Sequence, residues 1–287
     1  MKITGLLGYP LGHSFSPELF NRCYQKLELD YHYYPFPVLP KDLRTAVLGL
    51  KTLGARGVNV TIPHKEKIIR LLDRLDPLAQ KIKAVNAVVF VNDESVGFNT
   101  DAPAFWHSLK EEARINDGFG LSVLILGAGG AARAAAFSLL QQKVKNIFIF
   151  NRTLSNAQML ANDLIEQFPQ AGIEAYGLAD NLILEKILEK INFIINCTSL
   201  GMYPEIDQTP LNFSEKSLSG KLVYDLIYNP KQTRFLTEAR ARGARVLNGL
   251  TMLIYQAALS FQLWTGKEAP LALMKWFIWE KFEKQEA

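Results

Sequence analysis

Lys65 and Asp101 are the two side chains in this sequence best suited to moving a proton. Lys65 follows the predicted strand GVNVTI (57–62), and Asp101 follows the predicted strand SVGFN (95–99). Sites in open sheets lie where strands end, and a carboxylate beside an amine can set its position and pKa for general acid-base catalysis. Each residue also has an ordinary interpretation, because most lysines are merely solvated and Asp101 could be only a helix N-cap.

Ser14 and Ser16 lie two residues apart in a predicted loop and offer hydroxyl and N–H donors to a small anion such as a carboxylate. Ser16 before Pro17 also fits the N-cap of the next helix. Gln256 is a lone amide in the apolar helical stretch LTMLIYQAALSF (250–261), where it needs a partner or a pocket. Further uncharged polar residues lie near strand ends: Asn59, Thr61, Asn86 and Thr100. Together they favour a polyhydroxylated ligand, although bonding to local backbone is the commoner use of such side chains.

The segment LSVLILGAGGAAR (121–133) predicts a strand, a tight turn and a helix. Gly127, Gly129 and Ala132 fit the dinucleotide fingerprint, in which glycines let the backbone approach a pyrophosphate at the helix N-terminus. The alternative is a glycine turn without a ligand. The surrounding elements favour the dinucleotide.

The strand NIFIF (146–150) ends in a polar group at the position that selects the cofactor: Asn151, Arg152 and Thr153. An acid here would bind the ribose hydroxyls of NAD, but the next carboxylate is Asp163, inside the following helix. The guanidinium of Arg152 instead suits the 2′-phosphate of NADP. The alternative for Arg152 is a solvated side chain beside a turn.

The elements that must position these residues alternate between strand and helix, which predicts the α/β class. The first ninety residues favour a parallel or mixed sheet, with a helix over 64–83 and a hairpin of 86–92 with 95–99. From residue 121 the alternation follows the doubly wound pattern of a Rossmann-like domain. Two helices, at 250–266 and 270–284, close the chain.

Composition excludes several other functions. The net charge of +4 is spread among acids, so we expect no nucleic-acid partner. The two cysteines and four histidines lack ligand spacing, so we expect no metal and a reducing, cytoplasmic location. No segment predicts a signal peptide or a bilayer span. The aromatic last helix carries acids among its lysines, so we expect it to pack on a neighbouring domain rather than on a membrane.

Taken together, these motifs resemble those of the shikimate dehydrogenase family nearly end to end. The matching segments are GYPLGHSFSPELFN (8–21), NVTIPHK (59–65), AVNAV (84–88), GFNTD (97–101), GAGGAAR (127–133), NRT (151–153), NCTSLGM (196–202), DLIYNP (225–230) and NGLTMLIYQAA (248–258).

The resemblance implies NADPH-dependent, reversible reduction of 3-dehydroshikimate to shikimate, a step toward aromatic amino acids, in which Lys65 and Asp101 are the catalytic pair. It implies that residues 1–103 and 250–287 bind substrate, that 104–249 form a Rossmann domain, and that the final helices pack on the N-terminal domain. The implied substrate residues are Ser14, Ser16, Thr61, Asn86, Tyr228 and Gln256. The implied NADP residues are Gly127, Ala128, Gly129, Gly130, Ala131, Asn151, Arg152, Thr153, Thr198, Met202 and Gly249.

Three residues depart from the family pattern. Ala87 stands where threonine is common, Asn248 replaces a common aspartate, and Asn156 replaces a second arginine that would help to hold the 2′-phosphate. Two alternatives remain open: an NAD-using quinate/shikimate dehydrogenase, and a dinucleotide-binding regulator without catalysis. We expect a monomer or a homodimer.

Overall fold

The chain folds into two units, each built on its own sheet. The computed structural model describes residues 1–12, 14–213 and 217–286. One unit comprises Met1–Asp101 and Ile254–Ala287, and the other comprises Ala102–Leu253. The two-domain α/β architecture expected from the sequence is confirmed.

The first unit contains a mixed sheet, as predicted. Its described strands are β1 (Lys2–Gly8), β2 (Tyr31–Pro37), β3 (Gly57–Val60), β4 (Arg74–Leu75), β5 (Ala87–Val91) and β6 (Glu94–Phe98), in the order β2-β1-β3-β5-β6-β4. Its first helices are α1 (Ser16–Lys26), α2 (Leu43–Thr52) and α3 (Pro77–Ile82). Strands β1 and β3 are parallel, and β5 is antiparallel to both β3 and β6. The carboxyl ends of β1, β3 and β6 therefore meet the start of β5 at one edge of the sheet.

The hairpin predicted around residue 93 is confirmed as the pair β5 and β6. Asn92 and Asp93 both have positive φ, at 49° and 59°. Consecutive left-handed residues are typical of two-residue hairpin turns, and Asn and Asp tolerate this conformation better than most residues.

The single helix predicted over residues 64–83 is wrong. The segment forms a 3-10 helix at Lys67–Leu71, then β4, and then α3. Asp76 has extended backbone before Pro77, a position where proline disfavours helix, and its carboxylate accepts from the N–H groups of Leu78 and Ala79. Asp73 accepts from the backbone N–H and hydroxyl of Ser95, which holds the interruption against β6. These capping signals override the apolar periodicity.

The second unit is a parallel sheet covered by helices. Its described strands are β7 (Ser122–Leu126), β8 (Asn146–Asn151), β9 (Gly172–Gly177), β10 (Phe193–Asn196), β11 (Leu222–Asp225) and β12 (Arg245–Leu247). Its helices are α4 (Asp101–Ser108), whose first residue belongs to the first unit, α5 (Gly130–Gln141), α6 (Leu154–Gln167), α7 (Asn181–Lys190) and α8 (Arg234–Ala241). The strand order β12-β11-β10-β7-β8-β9 is that of a dinucleotide-binding fold, with its switch point between β7 and β10. Strand β7 is buried throughout, as expected for a strand covered on both faces.

The closing helices α9 (Leu250–Thr265) and α10 (Leu271–Glu286) pack on the N-terminal part of the chain, as predicted. Trp264 is fully buried against Phe20, and its indole N–H donates to the carbonyl of Val88 at 3.0 Å. Arg22 pairs with Glu280 of α10. Within the described residues, no helix has both the length and the apolar character needed to cross a membrane.

Candidate active site and nucleotide-binding site

The structure places Lys65 against Asp101. Lys65 follows β3 and Asp101 follows β6, and the shared sheet edge brings the Lys65 Nζ to 2.7 Å from Asp101 Oδ2. The Asp101 side chain is 6% exposed, while that of Lys65 is 17% exposed. A nearly buried carboxylate thus holds an ammonium group that solvent can still reach. An amine held in this way is positioned for general acid-base catalysis.

Asn86, at the start of β5, fixes the other half of the carboxylate. Its amide nitrogen donates to Asp101 Oδ1 at 2.9 Å and to the Thr100 hydroxyl at 2.8 Å, and its Oδ1 accepts from the Thr100 N–H. Each oxygen of Asp101 therefore has its own donor. The predicted Lys65, Asp101 and Asn86 form one hydrogen-bonded group.

Sequence reasoning missed Ser260, which connects helix α9 to this group. Its hydroxyl donates to the Gln256 carbonyl at 2.9 Å and accepts from the Asn59 amide at 2.8 Å. Asn59 also donates to the Asn86 carbonyl and accepts from the hydroxyl of Tyr33. The available signal was the position of Ser260, one helical turn after Gln256 in a largely apolar helix.

The predicted serine loop follows β1 and reaches the same edge of the sheet. The N-cap assignment of Ser16 is wrong, because Ser16 is the first residue of α1 and Phe15 is the N-cap, without a side-chain bond. The Phe15 carbonyl accepts the helical bond from Leu19. The hydroxyl of Ser14 instead accepts from the Ser16 N–H at 3.3 Å, so the two serines are joined to each other.

The remaining predicted substrate residues fall in both units. Thr61 follows β3, and its N–H donates to the carbonyl of Leu7 in β1. Gln256 is half-buried in α9, and its carbonyl accepts from Thr100 and Ser260. Tyr228 lies in the second unit, in the loop after β11, so the first unit does not bring it together with the others.

The predicted fingerprint forms the turn between β7 and α5. Gly127 has φ +108°, and a Cβ there would lie 3.2 Å from both the Cys197 carbonyl carbon and Thr198 Cγ2. Gly129 is the N-cap of α5. The predicted residues at this turn are Gly127, Ala128, Gly129, Gly130 and Ala131. The positive φ and the absent Cβ make the narrow cradle that a pyrophosphate requires, so the residues fit a dinucleotide.

Asn151, Arg152 and Thr153 lie at the carboxyl end of β8, as predicted. The Asn151 amide donates to the Thr153 carbonyl at 2.9 Å, and Thr153 is the N-cap of α6. The Arg152 side chain is exposed, and Asn156 is exposed one turn into α6. An exposed guanidinium at this position can reach a ribose phosphate, whereas an aspartate or glutamate would repel it.

The loops after β10 and β12 carry the other predicted cofactor residues. Thr198 and Met202 lie after β10, and Gly249 lies after β12. A Cβ on Gly249 would lie only 2.1 Å from the Leu226 carbonyl oxygen, so this position requires glycine.

Asp225, at the end of β11, is fully buried, and burial raises the pKa of its carboxyl to about 7.

Cys23 and Cys197 are both thiols rather than disulfide partners. Cys23 is fully buried in α1, and burial raises the pKa of its thiol to about 12. Cys197 is half-buried and lies beside Gly127. The two thiols therefore occupy very different environments.

Family models match three segments of the chain. The model described as shikimate dehydrogenase substrate binding domain matches residues 6–88. The model for shikimate / quinate 5-dehydrogenase matches 112–216, and that for the shikimate 5'-dehydrogenase C-terminal domain matches 249–275. The matches therefore extend over both units.

Individual proteins match over nearly the whole length. A shikimate dehydrogenase (NADP(+)) of Desulforamulus reducens is 44% identical over 276 residues, covering 96% of this chain and 93% of that protein. A shikimate 5-dehydrogenase of Listeria monocytogenes, solved with shikimate and NAD, has TM-score 0.85 and 34% identity, with 96% of each chain covered. One from Thermus thermophilus, solved with NADP(H) and shikimate, has TM-score 0.81 and 35% identity, covering 98% of this chain and 99% of that chain.

Proposed function

Because this chain belongs to the shikimate dehydrogenase family, we propose that it catalyses the reversible, NADPH-dependent reduction of 3-dehydroshikimate to shikimate. The observation that carries the proposal is the Lys65–Asp101 pair, oriented by Asn86 at one sheet edge. Membership in the family identifies the substrate. The Lys65–Asp101 pair contains a group that can transfer the proton that the reaction requires.

In the direction of reduction, NADPH held by the turn of residues 127–131 and by Arg152 would supply the hydride that reduces the substrate carbonyl carbon. Lys65 donates a proton from its ammonium group to the carbonyl oxygen, which becomes the new hydroxyl. Asp101 holds the amine in position through both directions of the reaction. Lys65 then recovers its proton from solvent, to which its side chain is partly exposed. In the oxidation of shikimate, the neutral amine of Lys65 accepts the hydroxyl proton.

The substrate would be held mainly by residues of the first unit that lie near strand ends or on helix α9. Ser14 and Ser16 would bind the substrate carboxylate. Its hydroxyls would contact Thr61, Asp101 and Gln256, and Tyr228 would line the pocket. Asn86 already donates to Asp101 and Thr100. We therefore assign it mainly to orienting Asp101, with a hydroxyl contact made by exchanging one of these bonds.

NADP would bind to the second unit. The turn of residues 127–131 would hold the pyrophosphate, and Arg152, flanked by Asn151 and Thr153, would bind the 2′-phosphate. Thr198, Met202 and Gly249 would contact the rest of the cofactor. The division into a substrate domain of 1–103 with 250–287 and an NADP domain of 104–249 is part of this proposal.

The test compares initial rates of the purified protein with shikimate and quinate, each with NADP and NAD. We expect shikimate with NADP to give the highest kcat/KM. A preference for quinate or NAD would favour the NAD-using alternative. No change in nicotinamide absorbance with shikimate under either cofactor would contradict the proposal and favour a regulator without catalysis.

A further inference from the structure

Asp225 is a buried carboxylate that no step of the proposed reaction uses. Within the described residues, three groups donate to it. Asp225 Oδ1 accepts from the Asn196 amide at 2.9 Å and from the Ile227 N–H at 3.1 Å. Asp225 Oδ2 accepts from the Thr233 hydroxyl at 2.7 Å. A fully buried acid needs such partners, and here the donors come from three different segments.

The first donor, Asn196, links Asp225 to Thr198. While its amide nitrogen donates to Asp225, Asn196 uses its Oδ1 to accept from both the N–H of Thr198, at 2.9 Å, and the Thr198 hydroxyl, at 2.7 Å. The Thr198 hydroxyl in turn accepts from the Leu200 N–H. Asn196 therefore fixes both the backbone and the rotamer of Thr198, directly beside the Gly127 turn.

The second donor, Ile227, links Asp225 to Gly249. Ile227 donates its N–H to Asp225, and its carbonyl accepts from the Gly249 N–H at 3.0 Å. The close approach of Gly249 to Leu226 leaves no room for a shifted loop. The position of Gly249 therefore depends on the turn that Asp225 holds.

The third donor, Thr233, links Asp225 to Gly201, the residue before Met202. A Cβ on Gly201 would lie 3.7 Å from the Thr233 Cβ, so Thr233 packs against this glycine. Thr233 is also the N-cap of α8, where its hydroxyl accepts from the Leu236 N–H. Asp225 thus binds a residue that supports the end of the loop after β10.

We propose that Asp225 is a positioning residue for the cofactor, because one buried carboxylate holds Asn196, Ile227 and Thr233, which contact Thr198, Gly249 and the residue before Met202. This inference rests on the proposed function, in which those three residues contact NADP. The carboxylate itself is fully buried, so it acts through these neighbours rather than by touching substrate or cofactor. Its removal lowers nucleotide affinity by loosening the loops while the substrate residues of the first unit keep their own contacts.

Two substitutions of Asp225 separate this role from general stability. Asp225→Ala removes all the acceptors and leaves three buried donors unpaired. Asp225→Asn keeps an oxygen for Asn196 and Ile227, and the Thr233 hydroxyl can accept from the new amide instead of donating. Ser122→Ala is the matched control, because Ser122 is a buried polar residue of the same sheet at the opposite end of its strands.

The readout is the NADPH dissociation constant, measured by cofactor fluorescence without shikimate, beside the KM for shikimate at saturating NADP. We expect Asp225→Ala to raise the dissociation constant for NADPH at least 10-fold. For Asp225→Asn this constant should stay within about 3-fold of the value for the parent protein. Ser122→Ala should match the parent. In Asp225→Ala the KM for shikimate should change less than the NADPH dissociation constant, because Tyr228 is the only proposed substrate residue beside this turn. Circular dichroism reports folding.

Parent-like NADPH binding by folded Asp225→Ala would overturn the inference, as would an equal loss in Asp225→Asn. If Asp225→Ala does not fold, Asn196→Ala decides, because it breaks the link to Thr198 and leaves Asp225 in place. It should raise the NADPH constant at least 5-fold, and unchanged binding would overturn the inference. A parent that binds NADPH but does not oxidise shikimate would refute the proposed function alone.

Discussion

At the scale of single residues, Lys65 is the group on which the proposed chemistry depends. General acid-base groups typically contribute about 10²- to 10⁴-fold, so Lys65→Ala should lower kcat by that factor with little change in KM. Steady-state kinetics with shikimate and NADP measure both. Lys67→Ala is the control, because Lys67 is an exposed lysine two residues away. A variant at position 65 that retains normal kcat would remove Lys65 from the mechanism.

Arg152 and Asn156 allow the nucleotide preference to be changed in both directions. Arg152→Ala should raise the KM for NADP about 10-fold and leave the KM for NAD unchanged, because only NADP carries the 2′-phosphate. Asn156→Arg should lower the KM for NADP about 3-fold by adding a second cation. Parallel titrations of both nucleotides give the ratio. Equal effects on NAD and NADP would show that position 152 does not contact the phosphate.

The sequence predicted some site residues better than others for physical reasons. Lys65 and Asp101 could be found because they follow strands, and strand ends share an edge. Ser260 and Asp225 could not, because a buried polar side chain acquires its meaning from partners that are distant in sequence. For Asp225 the signal was a charged residue within the apolar run KLVYDLIY, which implied buried partners without identifying them.

At the scale of elements, periodicity predicted the buried strands and amphipathic helices but not the interruption after Lys65. Residues 64–83 carry an apolar pattern that fits a helix, yet β4 divides them. The division depends on Asp73 pairing with Ser95, a contact across 22 residues. The cap formed by Asp76 before Pro77 was visible in the sequence and should have ended the predicted helix there.

Trp264 is one of the residues that attach helix α9 to the first sheet. Its carbonyl accepts from the Tyr31 hydroxyl and the Arg56 guanidinium, and its ring fills the space above Gly57. Trp264→Ala should lower the free energy of unfolding by about 3–5 kcal/mol through loss of buried area and the resulting cavity. Urea unfolding followed by circular dichroism measures the change.

Trp279→Ala is the control for this prediction, because Trp279 of α10 is 56% exposed. Its loss should change the free energy of unfolding by less than about 0.5 kcal/mol, as for most surface substitutions. A similar effect of both tryptophans would mean that the side chain of Trp264 does not hold α9 in place.

At the scale of the whole molecule, the two sheets differed in how far the sequence determined their topology. The fingerprint and the regular alternation pointed to the doubly wound order of the second sheet before any contact was known. The topology of the first sheet could be read only from the structure, because the alternation of strands and helices does not determine which strands pair. The alternation also did not predict β4 as the outermost strand of this sheet. Family resemblance added what local patterns lack, namely that the last helices return to the first unit.

The contrast between the two cysteines provides a chemical footprint of nucleotide binding. Cys197 is half-buried beside Gly127, whereas Cys23 is buried and its pKa of about 12 keeps it protonated. Iodoacetamide should therefore alkylate Cys197 and spare Cys23 in the folded protein. Saturating NADP should slow the alkylation of Cys197, and shikimate alone should not. Mass spectrometry of the peptides reads both sites in a single native chain, without any engineered label.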